Sequence, residues 1–431
     1  MKTLVNPSEK VLAETLKRPK LEEIQLEETV KAVFREVEQN GDTALLRLTE
    51  QFDSVKLGKL NVSEAEILQA EALLSESLKN AIRIAAGNIE RFHASQHDAE
   101  EMIETMPGVN CWRKAVPVQS VGLYIPGGTA PLFSTVLMLG IPAKIAGCPK
   151  RILCTPPAKD GNVHPAILFA ASVAGITEIY KVGGAQAIAA MSLGTESISK
   201  VDKLFGPGNQ YVTAAKQYAQ QSGIAIDLPA GPSEVLVAAD DSVPAQFIAA
   251  DLLAQAEHGA DSQVVLITDS EVFVAEIQRE LNEQLSQLPR SEIAKQALDN
   301  SVAIVVDSSK WAEIINQYAP EHLILMGKYE QGVVEQVVNA GSVFLGKFTA
   351  ESFGDYASGT NHTLPTAGYA RAYSGVSLDS FVKKITYQRI SEKGLKNLGN
   401  TVIELAKAEQ LEAHANAIQV RLVQTGQISK P

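Results

Sequence analysis

An α/β protein built on two doubly wound parallel sheets is what this sequence predicts, and three observations predict it. Short β-type runs alternate with helical segments from residue 119 onward, the runs fall into two separate series, and glycine-rich turns follow several of them directly. Strands separated by helices at this spacing pair in parallel, because each crossover returns the chain to the same end of the sheet. The chain has 431 residues, of which 45% are hydrophobic and 20% charged. That is enough to bury a large core, and at this length two or more domains are expected.

Residues 1 to about 116 read mostly as helix. The run LEETVKAVFREVEQ ends at Asn40-Gly41, and a new helix starts beyond Asp42. Ser63 and Glu66 form a capping-box signature ahead of a long apolar-periodic segment. His93 and His97, four residues apart near its end, could face one metal. No carboxylate-rich motif sits beside them, so surface histidines complementing a helix C-terminus are the preferred reading.

The first β series is SVGLYIP, RILCTP, ITEIYKV, VDKLFG and IAIDLP, separated by helices such as PLFSTVLMLGIPAKIAG. The second is SEVLVAA, SQVVLIT, SVAIVV, HLILMG and AGSVFLG, with helical patterns such as AEIQRELNEQL between. Beyond about residue 380 the pattern returns to helix. There Leu411, Ala415, Ile418 and Leu422 make an apolar stripe that reads as a packing or dimer face.

Composition excludes several classes. The net charge is -12 and no long Lys/Arg block is present, which argues against nucleic acid as a partner. The opening MKTLVNPSEK lacks the apolar core of a signal peptide, and no run approaches the roughly 18 apolar residues of a membrane span, so a cytoplasmic protein is expected. Cys111, Cys148 and Cys154 show no CxxC spacing and read as small buried hydrophobes. A catalytic thiol at Cys148, before Pro149, is the alternative.

In a doubly wound sheet, ligands bind beyond the carboxyl ends of the strands. Three glycine turns qualify: Tyr124-Ile-Pro-Gly127-Gly128-Thr129, Gly183-Gly184-Ala185-Gln186 and Gly206-Pro207-Gly208-Asn209. Each could bring backbone amides and a helix N-terminus to a phosphate, although none is a GxGxxG fingerprint. Gln255 and His258 in ADLLAQAEHGAD fall three apart at a helix end, a spacing that suits a metal with nitrogen and oxygen donors or a histidine complementing the dipole. Glu321 and His322 follow Ala319-Pro320. In a regular strand they would face opposite ways, so they share a site only if the backbone is irregular there. The polar segment FTAESFGDYASGTNHTLPT carries Asp355 and His362, Asp355 being a metal ligand or a turn-former. Ser233 sits at the junction of the two series, and His414 near the C-terminal stripe reads by default as a packing histidine.

VGLYIPGG, FGPGN, DLPAGPSE, AQAEHG, APEHL and ESFGDYASGTNHTLPT, in that order, make the chain resemble the histidinol dehydrogenase family along almost its whole length. The resemblance implies two Rossmann-like domains related to the aldehyde-dehydrogenase-like fold, with small helical terminal segments, in an intertwined homodimer. The expected divisions are an N-terminal arm over 1–22, a first domain of 23–118 plus 234–375 carrying catalytic and metal residues, an NAD-binding domain over 119–233, and a dimerisation segment over 376–431. By resemblance Gln255, His258, Asp355 and His414 bind one zinc per subunit. Glu321 and His322 are catalytic, and Tyr124, Gln186 and Asn209 contact NAD. Ser233, Gln255, His258, His322, Asp355, Glu409 and His414 contact the substrate, L-histidinol, with C-terminal residues shared across the dimer. The implied reaction is two successive NAD-dependent oxidations through the aldehyde to histidine. Glu409 and His414 stand five residues apart, so on a regular helix they diverge by about 140°, and the helix must be irregular there if both contact the substrate directly.

Overall fold

Two parallel sheets with the same strand order organise most of the chain. The computed structural model describes residues 1–18, 23–127, 130–229 and 231–426. The expected arm is thus described only in part, and Gly128, Thr129, Ala230 and the last five residues lie outside the described residues. The chain forms two compact units, Met1–Gln96 with Val118–Phe381, and His97–Pro117 with the segment from Val382 onward.

The chain begins with β1 (Lys2–Val5), α1 (Glu9–Thr15), α2 (Glu23–Asp53), α3 (Glu64–Ala72) and α4 (Glu76–Ala94), followed by β2 (Met102–Met106) and β3 (Val109–Pro117). The first α/β series runs β4 (Ser120–Tyr124), α5 (Phe133–Ile145), β5 (Lys150–Thr155), α6 (Pro165–Val173), β6 (Glu178–Lys181), α7 (Gly184–Leu193), β7 (Lys203–Phe205), α8 (Gln210–Gln221) and β8 (Ala225–Ile226). The second runs β9 (Glu234–Ala239), α9 (Ala245–Ala256), β10 (Gln263–Thr268), α10 (Glu271–Leu285), α11 (Ser291–Asp299), β11 (Val302–Val305), α12 (Trp311–Tyr318), β12 (His322–Met326), α13 (Glu330–Val334), β13 (Ser342–Leu345) and α14 (Glu351–Tyr356). The chain closes with β14 (Val382–Ile390), α15 (Glu392–Ala408) and α16 (Glu412–Gln424).

The first sheet is ordered β6-β5-β4-β7-β8 and the second β1-β11-β10-β9-β12-β13, with every pairing parallel. In each, the first strand of the series lies inside and the order reverses beside it, between β4 and β7 and between β9 and β12. These are the switch points of doubly wound sheets. Helices cover both faces, so β9 and β10 are buried along their whole length and read as continuous rather than alternating apolar runs.

The N-terminal region carries the expected helix break. Gly41 sits at φ 50 inside α2, a left-handed conformation open to glycine, so the chain turns there and resumes as helix. The capping box also forms: Ser63 and Glu66 bond reciprocally, and Glu66 reaches Lys181 at 2.5 Å.

Two regions read as helical are strands. Residues 102–117 form a hairpin, β2 and β3, around Pro107-Gly108, and residues 382–390 form β14, which pairs antiparallel with β3. The β-branched and aromatic residues of ITYQRI fit a pleated surface, and their partner lies far away in sequence, which hides the pairing. Trp112 stacks on Tyr387, its register partner, with ring centroids 5.4 Å apart. The C-terminal stripe is a packing face: Ala415, Ile418 and Leu422 meet Ile403 and Ala406 of α15, while Leu411 stays exposed. β1, also unforeseen, adds an edge strand beside β11.

A buried ion pair fixes the turn after β7. Lys216 of α8 pairs with Asp227, which follows β8. Lys216 also donates to the Gly206 carbonyl at 2.9 Å, while Asp227 accepts from the Gly206 N–H at 2.8 Å. Gly206 stands at φ 127, and a Cβ there would lie 2.1 Å from the Tyr124 carbonyl oxygen, so only glycine lets the two strand ends approach. Removing one partner of a buried pair leaves an uncompensated charge, so Lys216→Met is expected to cost about 3–5 kcal/mol. Denaturant unfolding measures it, and a loss below about 1 kcal/mol would mean that the pair is not desolvated.

Candidate active site

Ala319 adopts a left-handed conformation, φ 52, immediately before Pro320. That irregular step leaves Glu321 just outside β12 and His322 as its first residue, and both side chains are buried. His322 stands in register with Val235 of β9 and Ser342 of β13. The backbone of Glu234 then grips both. Its N–H donates to Glu321 Oε2 at 2.9 Å, and its carbonyl lies 3.3 Å from His322 Nδ1. With Nδ1–H directed there, Nε2 points at Asp355 Oδ1, 3.4 Å away, in ion-pair contact but without hydrogen-bond alignment.

Carboxylates crowd this imidazole. Glu321 Oε2 lies 3.7 Å and Glu351 Oε1 3.9 Å from Nδ1. Burial pushes Glu321 up to about 8, against the pull of His322, and holds Glu351 well above the usual carboxylate range. Burial would depress His322, but Glu351, Glu321 and Asp355 outweigh it and raise the imidazole well above its ordinary value. Asp355, despite its own burial, is held low by contact with His322 and by His362 and His258 nearby. Donor atoms of His322, Glu351 and Asp355 lie within 4.8 Å of one another.

Gln255 is buried in the last turn of α9. With its amide oriented to satisfy both atoms, it donates to Glu351 Oε1 and accepts from the Glu234 N–H at 2.9 Å. His258 lies past the helix rather than on its face. α9 stops at Ala256, and the His258 N–H returns to the Gln255 carbonyl at 3.2 Å. His258 is exposed, yet desolvation by the surrounding chain lowers its pKa while Asp355 pulls the other way. His362 is held between the Asp355 carbonyl (2.9 Å) and Thr135 Oγ1 (3.1 Å). Ser233 joins Glu321 and His362 in a small adjoining cavity of about 110 Å³, walled by Gly206–Gly208.

A larger cavity, about 880 Å³, opens at the carboxyl ends of the first sheet. Tyr124, Gln186 and Asn209 all line it, as do His164 and Gly184. His164 caps α6, Gly184 begins α7 and Asn209 caps α8, accepting from the N–H groups of Tyr211 and Val212 at 3.1 Å each. Three helix amino ends thus meet one cavity, and their aligned peptide dipoles favour phosphate there. Tyr124 accepts from the Gly184 N–H at 3.1 Å, and burial pushes its phenol up to about 12.

Glu409 and His414 belong to the smaller unit, and both are exposed. The helix is indeed broken between them: α15 ends at Ala408, Gln410 stands at φ 61, and α16 begins at Glu412. His93 is buried rather than at the surface, bonded through Nδ1 to the Ile89 carbonyl at 2.9 Å. Cys148 and Cys154 are buried among apolar side chains, where burial pushes the Cys148 thiol up to about 11, and both fit the reading as small hydrophobes, whereas Cys111 is half-buried.

Three participants went unread in the sequence. Glu351 stands four residues before Asp355, one turn away on a short helix, and that spacing was its available signal. Glu234 and Arg18 gave none. Arg18 Nε and Nη2 hold the Glu234 carboxylate at 2.5 and 2.7 Å, Nη2 also donates to the Tyr318 carbonyl at 2.9 Å, and the guanidinium lies over the Tyr318 ring. The Ala367 N–H adds a further bond to Glu234 Oε1 at 2.8 Å.

Two doubly wound sheets carry a phosphate-favouring cavity on one and a buried acid–imidazole pair on the other, and the family that the chain matches makes it an NAD-dependent oxidoreductase. The family model for histidinol dehydrogenase matches residues 16–422, and the chain belongs to that family. It is 58% identical over 423 residues to a histidinol dehydrogenase of Bacteroides thetaiotaomicron, covering 98% of this chain and 99% of that protein. A histidinol dehydrogenase of Xylella fastidiosa is 51% identical over 98% of this chain and 96% of its own length. The crystal structure of histidinol dehydrogenase from Elizabethkingia anophelis superposes with a TM-score of 0.96 at 54% identity, covering 99% of each chain.

Because Glu234 is buried and Arg18 is its half-buried partner, Arg18→Ala and Glu234→Gln are each expected to destabilise, toward the about 3–5 kcal/mol of a broken buried pair. The double variant should lose clearly less than the sum, by at least about 1.5 kcal/mol. Strict additivity in denaturant unfolding would show that the two side chains are not coupled.

Proposed function

We propose that this protein oxidises L-histidinol to L-histidine in two NAD-dependent steps at one site. The observation that carries the reading is the Glu321–His322 pair, gripped by the Glu234 backbone beside Gln255, His258 and Asp355. His322, with Nδ1 anchored and Nε2 left without a hydrogen bond, acts in its neutral form, which the neighbouring carboxylates shift to higher pH, and takes the hydroxyl proton as hydride leaves the alcohol carbon for NAD. Glu321 then activates a water that adds to the aldehyde, and hydride from the hydrate passes to a second NAD. One water is consumed and two NADH form per histidinol.

The cofactor occupies the larger cavity, with Tyr124, Gln186 and Asn209 contacting it. Ser233, Gln255, His258, His322, Asp355, Glu409 and His414 contact the substrate. Zinc is assigned to Gln255, His258, Asp355 and His414. The fit rests on chemistry: buried carboxylates repel one another around a single imidazole, and a cation relieves that repulsion. The donors are nitrogen and oxygen without thiolate, as in a site that keeps room for substrate. When bound, the metal supplies a fixed point for the imidazole and amine nitrogens of histidinol.

The working form is a homodimer sharing C-terminal residues. In support, the smaller unit exposes Met102, Ile103 and Met106 on β2 and Ile385, Tyr387 and Ile390 on β14. Among the described residues no helix is long and apolar enough to cross a membrane, and the cytoplasm is the proposed location.

With limiting histidinol, purified zinc-loaded protein should form two NADH per histidinol. Glu321→Gln should lower the ratio toward one and release aldehyde, and His322→Ala should abolish both steps. A ratio of one from the unaltered protein would reduce the activity to simple alcohol oxidation. Chelation should remove turnover reversibly, and full activity of demonstrably metal-free protein would refute the zinc assignment.

A further inference from the structure

Among the polar groups that line the larger cavity and that the cofactor contacts above leave unused, one is a carboxylate. Asp53 is the last residue of α2 and lines that cavity with Tyr124 and Pro156. Its Oδ2 is buried and has no hydrogen-bond partner. The position is unfavourable for a carboxylate on two counts. It lies at a helix C-terminus, where the dipole repels negative charge. Burial raises its pKa. Apart from these, the next residue, Ser54, is held at φ 58, a conformation that L side chains rarely adopt. Such an acceptor calls for a donor that the described protein does not supply.

The charge layout of the cavity says which donor. The amino ends of α6, α7 and α8 favour phosphate, whereas Asp53 repels it and accepts O–H or N–H groups. A dinucleotide offers both features in sequence, because each phosphate is joined to a ribose bearing vicinal 2′- and 3′-hydroxyls. A carboxylate matches such a pair, as it does in dinucleotide folds where an acidic residue binds the ribose. Gly161, in the loop after Pro156, lies against Val55 and Leu57, so the segment just past Asp53 packs on the same wall.

We propose that Asp53 recognises the hydroxyl pair of a cofactor ribose, and that if this is the adenosine ribose the carboxylate also rejects a 2′-phosphorylated cofactor. The inference rests on the assignment of the larger cavity to NAD and adds the group that reads its sugar.

Titration calorimetry of the full-length protein with NAD, ADP and nicotinamide mononucleotide tests it, comparing the unaltered chain with Asp53→Asn. The variant should bind NAD about tenfold or more weakly, the loss of one charge-assisted hydrogen bond. A parallel loss with ADP identifies the adenosine ribose, and discrimination between NAD and NADP should then narrow. A loss with NAD and nicotinamide mononucleotide but not ADP identifies the other ribose. Unchanged affinity for all three overturns the inference and leaves the cofactor assignment standing. NAD analogues lacking the 2′-hydroxyl of either ribose make the same test on the unaltered protein, and binding of both as tight as NAD overturns it equally. If NAD itself does not bind in this cavity, the cofactor assignment fails first and this inference falls with it.

Discussion

The backbone of Glu234, through its N–H and its C=O, is the constraint on which the acid–imidazole site depends. A backbone N–H and C=O at the start of a central strand cannot move independently of the sheet, so the groups they hold inherit its rigidity. Glu321 is fixed by the N–H and His322 by the carbonyl, and the imidazole is thereby committed to presenting Nε2. The Glu234 side chain serves a second purpose, joining the N-terminal segment through Arg18 to the loop at Ala367. One residue therefore sets the geometry with its backbone and locks the surrounding chain with its carboxylate.

The two sheets are used at opposite ends. On the first, the large cavity lies beyond the strand carboxyl ends, as the switch-point rule for doubly wound sheets requires. On the second, Glu234, Glu321 and His322 stand at the amino ends of β9 and β12, where that rule predicts nothing. The connection explains the difference. After β8 the chain needs only residues 227–233 to enter β9, so the carboxyl end of one sheet feeds directly into the amino end of the next. Ser233, at the end of that link, lines the small cavity with Glu321.

Both α/β series were legible in the sequence because their signals are local: apolar runs of strand length, crossover helices and glycine stops. The glycine turns that carry Tyr124, Gln186 and Asn209 were legible for the same reason, each standing next to a strand end or a helix start, whereas the role of these residues came from the resemblance alone. The resemblance supplied the site residues, whereas periodicity alone left Asp355 as a ligand or a turn and placed His258 on a helix that stops short of it. What stayed hidden was non-local. β14 needs β3 to be a strand, and Arg18 acquires a role only when Glu234 and Tyr318 close around it. Glu351 lay within a recognised motif, yet its burial against His322 follows from the packing of α14, which no pattern in six residues discloses.

The contribution of β1 and Arg18 bears on how the molecule is made. Lys2–Val5 supply an edge strand to β11, and Arg18 supplies a guanidinium to Glu234 and Tyr318, 216 and 300 positions later. During synthesis that segment has no native partner until most of the chain has emerged. The first sheet can assemble from neighbours in order, but the second closes late, after loop-closure entropy over hundreds of residues has been overcome. A nascent or truncated chain ending before β9 would therefore leave β1 and Arg18 without their partners β11, Glu234 and Tyr318, and would lack Glu321 and His322 as well.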